Sequence, residues 1–180
     1  MKTAIAFTLL LWCGFFVSAQ ESSTVSFSKY PIETTGCHIY LPAVPPAWAI
    51  SFSDDSSSVY TNSVTYNDFI FDAILVSFKV PFTGESHEVL EDLLISYIDF
   101  LKEAYDTDES SDYGKGQILP GNDDALGVMA FWESADGTQT KLKGWITETH
   151  LAVLLVYGTN DPSELALTDA FLNGFRFPEK

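Results

Sequence analysis

Four oxygen-bearing residues stand at alternate positions in one acidic stretch: Asp106, Asp108, Ser110 and Asp112. That is the spacing of the first ligands in an EF-hand-type calcium loop, whose oxygens must converge on one hard cation. Ser111 stands where the loop's sharp turn needs glycine, and Gln117 stands where a bidentate glutamate should close the site. Asp123 and Asp124 add carboxylates only if two separate segments meet. The stretch therefore reads first as a solvated acidic loop; no cofactor is expected, and Ca2+ is the alternative this spacing offers.

Other constellations are weaker. His38, His87 and His150 are scattered, with no two inside one helical turn, so a zinc site would need convergence from distant segments. Cys37 precedes His38, but neighbours on an extended chain point to opposite faces and do not form a thiolate–base pair. Glu133, Asp136 and Glu148 would suit a carboxylate-dependent hydrolase if they met at one end of a sheet. The chain has no Gly-x-Ser-x-Gly elbow, phosphate-binding glycine loop or dinucleotide fingerprint. Lys141, Lys143, Trp145 and Thr147 share one strand face by alternation. An aromatic flanked by lysines there is either covered by another layer or forms a contact point for a protein or glycan. These four residues are the candidate contact face.

The elements that would position these residues begin after a leader. Lys2 precedes a charge-free run through Val17, and Ser18 and Ala19 supply small residues for cleavage. Residues 1–19 thus read as a signal peptide cut after Ala19. The run is shorter than the ~20 residues that span a bilayer, so the expected destination is secreted or periplasmic, with no membrane span after removal. Residues 20–26 read as a flexible arm and 27–180 as a single domain. The net charge of −16 becomes more negative once Lys2 is lost, which disfavours nucleic acid and anionic membranes as partners. Cys13 leaves with the leader. Cys37 is then alone, no intramolecular disulfide is possible, and a small buried side chain is its expected role.

In the exported part, 48–53 and 59–61 read as a short hairpin. Residues 69–80 form the best strand: Ile70, Ile74, Val76, Phe78 and Val80 share one face, while Phe69, Phe71, Ala73 and Leu75 share the other. Ser86 caps a long helix whose stripe is Leu90, Leu94, Tyr97, Leu101 and Tyr105, widened by Leu93, Ile98 and Phe100. Acidic residues in its first turns complement the helix dipole. Residues 106–116 read as a loop. Residues 126–132 and 141–147 read as strands joined through Asp136-Gly137, and 151–157 as a strand apolar on both faces. Asp161-Pro162 opens a short C-terminal helix over 162–173, with Asn173-Gly174 as a left-handed C-cap, and 175–177 form a last strand.

This order resembles the α/β/α sandwich of the PsbP-like superfamily, which spans photosystem PsbP subunits, a yeast Ran-binding import factor and small exported bacterial proteins. The resemblance rests on Pro45, Pro46 and Trp48, on the helix opening Ser86-His87-Glu88-Val89-Leu90, and on Gly144. It rests most on the ending: Leu154 to Tyr157, Asp161-Pro162, and Phe171-Leu172-Asn173-Gly174-Phe175-Arg176-Phe177. It implies an α+β fold, an α/β/α sandwich with a central, mainly antiparallel sheet, one long helix and one short C-terminal helix. A helix-grip fold would need a longer final helix than the one Gly174 ends. The resemblance further implies a non-catalytic assembly, chaperone or protein-binding module, with another protein as partner. A carboxylate-dependent hydrolase and a carrier of small apolar ligands are the alternatives.

Overall fold

The computed structural model describes residues 26–162 and 166–179. The expected signal peptide, all but Ser26 of the expected arm, and residues 163–165 of the expected C-terminal helix lie outside them.

Why the central strands sit centrally is visible in their composition. β5 (Phe69–Ser77) and β10 (His150–Gly158) are apolar on both faces, so each loses least when covered on both sides. They pair antiparallel, with Val153 opposite Ile74 and Val156 opposite Phe71. Around them an eight-stranded sheet runs β3-β4-β5-β10-β9-β8-β6, and β7 pairs with β8 beside this path. Its other strands are β3 (Ala49–Phe52), β4 (Ser58–Tyr66), β6 (Thr107–Ser110), β7 (Gly114–Gln117), β8 (Leu126–Ser134) and β9 (Gln139–Ile146).

One face carries the long helix α1 (His87–Ala104), whose Ser86 hydroxyl accepts the Val89 amide at 3.3 Å. Leu90, Leu94, Ile98 and Leu101 are its buried residues, spaced by four, four and three, which keeps them on one stripe. They pack on Ile74, Val76, Val128, Leu142, Val153 and Leu155. α1 comes very close to β9, because a Cβ at Gly144 would lie 2.7 Å from Leu94 Cδ1. Phe100, expected to widen the stripe, is instead 69% exposed. It sits two residues beyond Ile98, which turns it away from the sheet.

The opposite face is covered by α2 (Ala166–Leu172) and by a three-stranded sheet of β1 (Ser28–Pro31), β2 (His38–Leu41) and β11 (Phe175–Arg176), in the order β1-β2-β11. Ile39, Leu41, Phe71, Leu75, Trp145, Leu154, Phe171 and Phe175 fill the space between. The fold is therefore α+β with a mainly antiparallel sheet, one long helix and one short one. Two local expectations change. The stretch 106–116 holds β6 and most of β7. Of the helix expected over 162–173, Ala166–Leu172 is α-helical among the described residues. Gly174 does not have positive φ; it is small because a Cβ there would lie 2.7 Å from the Ala170 carbonyl oxygen.

Cys37 is buried and free, and burial pushes its thiol up to about 12, slightly countered by the Thr35 hydroxyl. His150 is also buried. Its ring nitrogens lie 2.8 Å from Thr149 Oγ1 and 3.4 Å from Ser77 Oγ, and burial lowers its pKa from the ordinary 6.5. The unfolded chain therefore binds the proton more readily than the folded one. The stabilisation is full above about pH 6.5 and is lost as pH falls through the lower folded value. The urea midpoint is expected to fall between pH 7.5 and pH 5.5, and to fall less in His150→Phe. An equal fall in both proteins would show that His150 is not the source.

Candidate functional site

The structure separates the candidates that spacing suggested. Asp106 follows α1 with a left-handed φ of 49°, Asp108 and Ser110 lie on the edge strand β6, and Asp112 follows it. An extended strand rises about 3.3 Å per residue, so alternate oxygens there do not close on one cation. Among the described residues no three His, Cys, Asp or Glu side chains come together as a metal-holding group. Glu133 is at the end of β8 and Asp136 in the turn to β9, but Glu148 lies beyond the far end of β9, where its Oε1 accepts the Gly84 amide at 3.1 Å.

Of the Lys141, Lys143, Trp145 and Thr147 face, the first three meet the chain's own C-terminal helix and the residue after it. Lys141 Nζ reaches Asp169 Oδ1 at 2.9 Å, Lys143 Nζ donates to Asn173 Oδ1 at 2.9 Å, and Trp145 Nε1 donates to the Leu172 carbonyl at 3.2 Å. Trp145 is fully buried. Burial, with a smaller push from Lys141, lowers the Lys143 pKa despite Asp169. Thr147 bonds within the β9–β10 turn. The alternation was real. What it left open was the covering layer, and α2 supplies that layer.

Sequence reasoning passed over a different polar group. Asp72 is the one charged residue in the apolar strand β5 and lies on the α1 face, between Ile70 and Ile74. Its Oδ2 accepts hydrogen bonds from the Tyr105 and Tyr157 hydroxyls, each at 2.9 Å. Tyr105 is the C-cap of α1, and Tyr157 lies on β10 beside β5. Their rings meet edge to face with centroids 5.7 Å apart. Burial first, and then the adjacent Asp72 carboxylate, push both phenols well above their usual range, so both stay protonated donors.

The acceptor side is incompletely used. Asp72 Oδ1 is closed to solvent and makes no hydrogen bond among the described residues, and the same holds for Thr107 Oγ1 and Trp132 Nε1. Thr107 lies two residues beyond Tyr105, and the Trp132 ring centroid is 6.0 Å from that of Tyr105. Asp72 also forms part of the wall of a groove of about 390 Å³, with Pro46, Ala49, Thr61, Ser63, Ile74 and Tyr105. By register, Thr61 faces Ile74 and Ser63 faces Asp72, so their side chains share the α1 face with the carboxylate. The signal available in the sequence was a lone aspartate at a period-two apolar position.

A second exposed feature is β3. All four of its residues are exposed, and among the described residues it pairs on one side only, with β4. Ile50 and Phe52 share the face of Tyr60, which packs towards the α2 side, yet they remain 53% and 73% exposed.

No protein-family model matches this chain, and no curated protein matches it. Among solved structures it is similar to cyanobacterial PsbP (CyanoP) from Synechocystis sp. PCC 6803, determined in solution. The two share 13% sequence identity with a TM-score of 0.53, over 91% of this chain and 99% of that one. A likeness at this identity shows the fold, which is PsbP-like. Among the described residues no helix is long and apolar enough to cross a membrane.

Proposed function

We propose, taking the PsbP-like fold as the premise, that this chain is an exported, non-catalytic module that binds another protein in the cell envelope or secreted space. Export is supported by the leader-like pattern over 1–19. The carrier alternative has less support, because both faces of the large sheet are occupied by packed side chains.

The observation that carries binding is the open edge at β3. An unpaired strand edge is a template for another strand, and proteins ordinarily block it with charge, proline or a bulge. At the other side of the sheet, β6 carries Asp108 and Glu109 and a register break. β3 has the sequence Ala-Ile-Ser-Phe, with none of these devices. The occupant this edge fits is an extended segment of a partner protein added beside β3, its apolar side chains covering Ile50 and Phe52. Asp54 and Asp55 follow the strand and the chain is strongly acidic, so the fitting segment is basic. A second copy of this acidic chain would be repelled.

Photo-crosslinking from a benzophenone side chain at position 52, in the cell that makes the protein, is expected to join it to a different protein through a basic segment. Phe52→Asp is expected to reduce recovery of that protein at least tenfold. Its thermal midpoint should be nearly unchanged, since the side chain is exposed. Crosslinks confined to copies of this chain, or equal recovery with Phe52→Asp, would refute the reading.

A further inference from the structure

We infer that the groove beside Asp72 is a binding site for an alkylammonium group. This site adjoins β3 through Ala49 but does not depend on strand addition at that edge.

The argument starts from charge. The described ion pairs join Asp99 to Lys102, Glu91 to Lys115 and Asp169 to Lys141; none of them includes Asp72. Among the described residues its carboxylate is held by two neutral phenols, both bonded to the same oxygen. The unused acceptor, Oδ1, is closed to solvent, so what the carboxylate offers the groove is a negative charge with no ion-pair partner among the described residues, and that favours a cation. No lysine or arginine lines the groove, so nothing in its wall competes with an incoming cation or recruits an anion.

The rest of the wall selects among cations. A hard metal ion needs several carboxylate or carbonyl oxygens in a closed shell, whereas this groove presents a single carboxylate. The Thr61 and Ser63 hydroxyls share its face and supply neutral acceptors. Pro46, Ala49 and Ile74 supply alkyl surface. Two hydroxyl acceptors and an adjacent negative charge beside an apolar wall suit the N–H donors and the short alkyl stem of a primary ammonium. Tyr105 adds an aromatic ring to the same wall, a further favourable surface for a cation. The net charge of −16 raises the local concentration of any such cation at low salt.

The same ammonium chemistry has two sources, a free small amine or the lysine side chain of a peptide, and the test separates them. The full exported chain, labelled with 15N, is titrated in parallel with butylammonium, with neutral butanol, and with Nα-acetyl-lysine amide. Saturable shifts are expected with butylammonium, concentrated at Thr61, Ser63, Asp72 and Tyr105, with no saturable shift from butanol. Asp72→Asn, which keeps the shape and removes the charge, is expected to weaken butylammonium about tenfold or more. Tighter binding of the lysine derivative would assign the site to a peptide side chain, and tighter binding of butylammonium to a free amine. Equal responses to butylammonium and butanol, or unchanged affinity in a folded Asp72→Asn, would overturn the inference. The butanol comparison uses the unaltered protein, so the question is decided even if the variant fails to fold.

Discussion

Trp145→Ala is expected to lower the unfolding free energy by about 3–5 kcal/mol, the range for truncating a large buried aromatic side chain. Trp145 is completely buried in the layer beneath α2. Its removal leaves a cavity and also frees the Leu172 carbonyl, which accepts the indole N–H at 3.2 Å. Small domains are stable by only about 5–15 kcal/mol, so this one change consumes a large share of the margin. The urea midpoint measures it, and Trp145→Phe should recover part of the packing without the hydrogen bond. A contact residue would behave oppositely, losing partner affinity while leaving the midpoint in place.

Gly127→Ala carries the second largest expected effect, about 2–3 kcal/mol. Gly127 is directly opposite Trp145 in the β8–β9 ladder, and the indole lies over the glycine. A Cβ built at position 127 overlaps the Trp145 ring and comes within 2.8 Å of Gln117 Cβ. The ring is enclosed by the core and anchored through its N–H, so it has little room to retreat. The cost should fall to a minor part in the Trp145→Ala background, because the methyl group then shifts into space the indole has vacated and only the Gln117 contact remains. A double-mutant cycle on urea midpoints is expected to show coupling of about 2 kcal/mol. Additive effects would mean that ring and glycine do not constrain each other.

These two residues also show what was legible in the sequence. Strands and helices with clean periods were readable: the two-faced apolar pattern of β5 and β10, and the stripe of α1 with its serine cap. β6 and β7 were not. Their residues are acidic or glycine-rich, and they form strands only because β8 offers an edge with which to pair. The lysine-flanked face of β9 was correctly grouped, but a pattern of alternation cannot say which layer lies above it. Long lysine stems can be buried while their charged ends find partners, and Asp169 and Asn173 on the α2 side provide those partners.

The Asp72 group was hidden for a different reason. Ile70 and Ile74 complete a period-two pattern around the aspartate, so the strand reads well with the charge ignored. Its two phenol partners lie 33 and 85 residues further along the chain. One arrives at the end of a helix and the other on an adjacent strand. Only the topology that places β10 beside β5, and the end of α1 above them, brings the three together.

The unequal ends of the large sheet bear on stoichiometry. A protein with two receptive edges can be threaded into an open-ended array, each addition exposing a fresh edge. Here one end is receptive and the other is closed by the acidic, irregular β6. In the proposed complex, one copy of this chain therefore offers its large sheet to one partner segment, at β3 and not at β6.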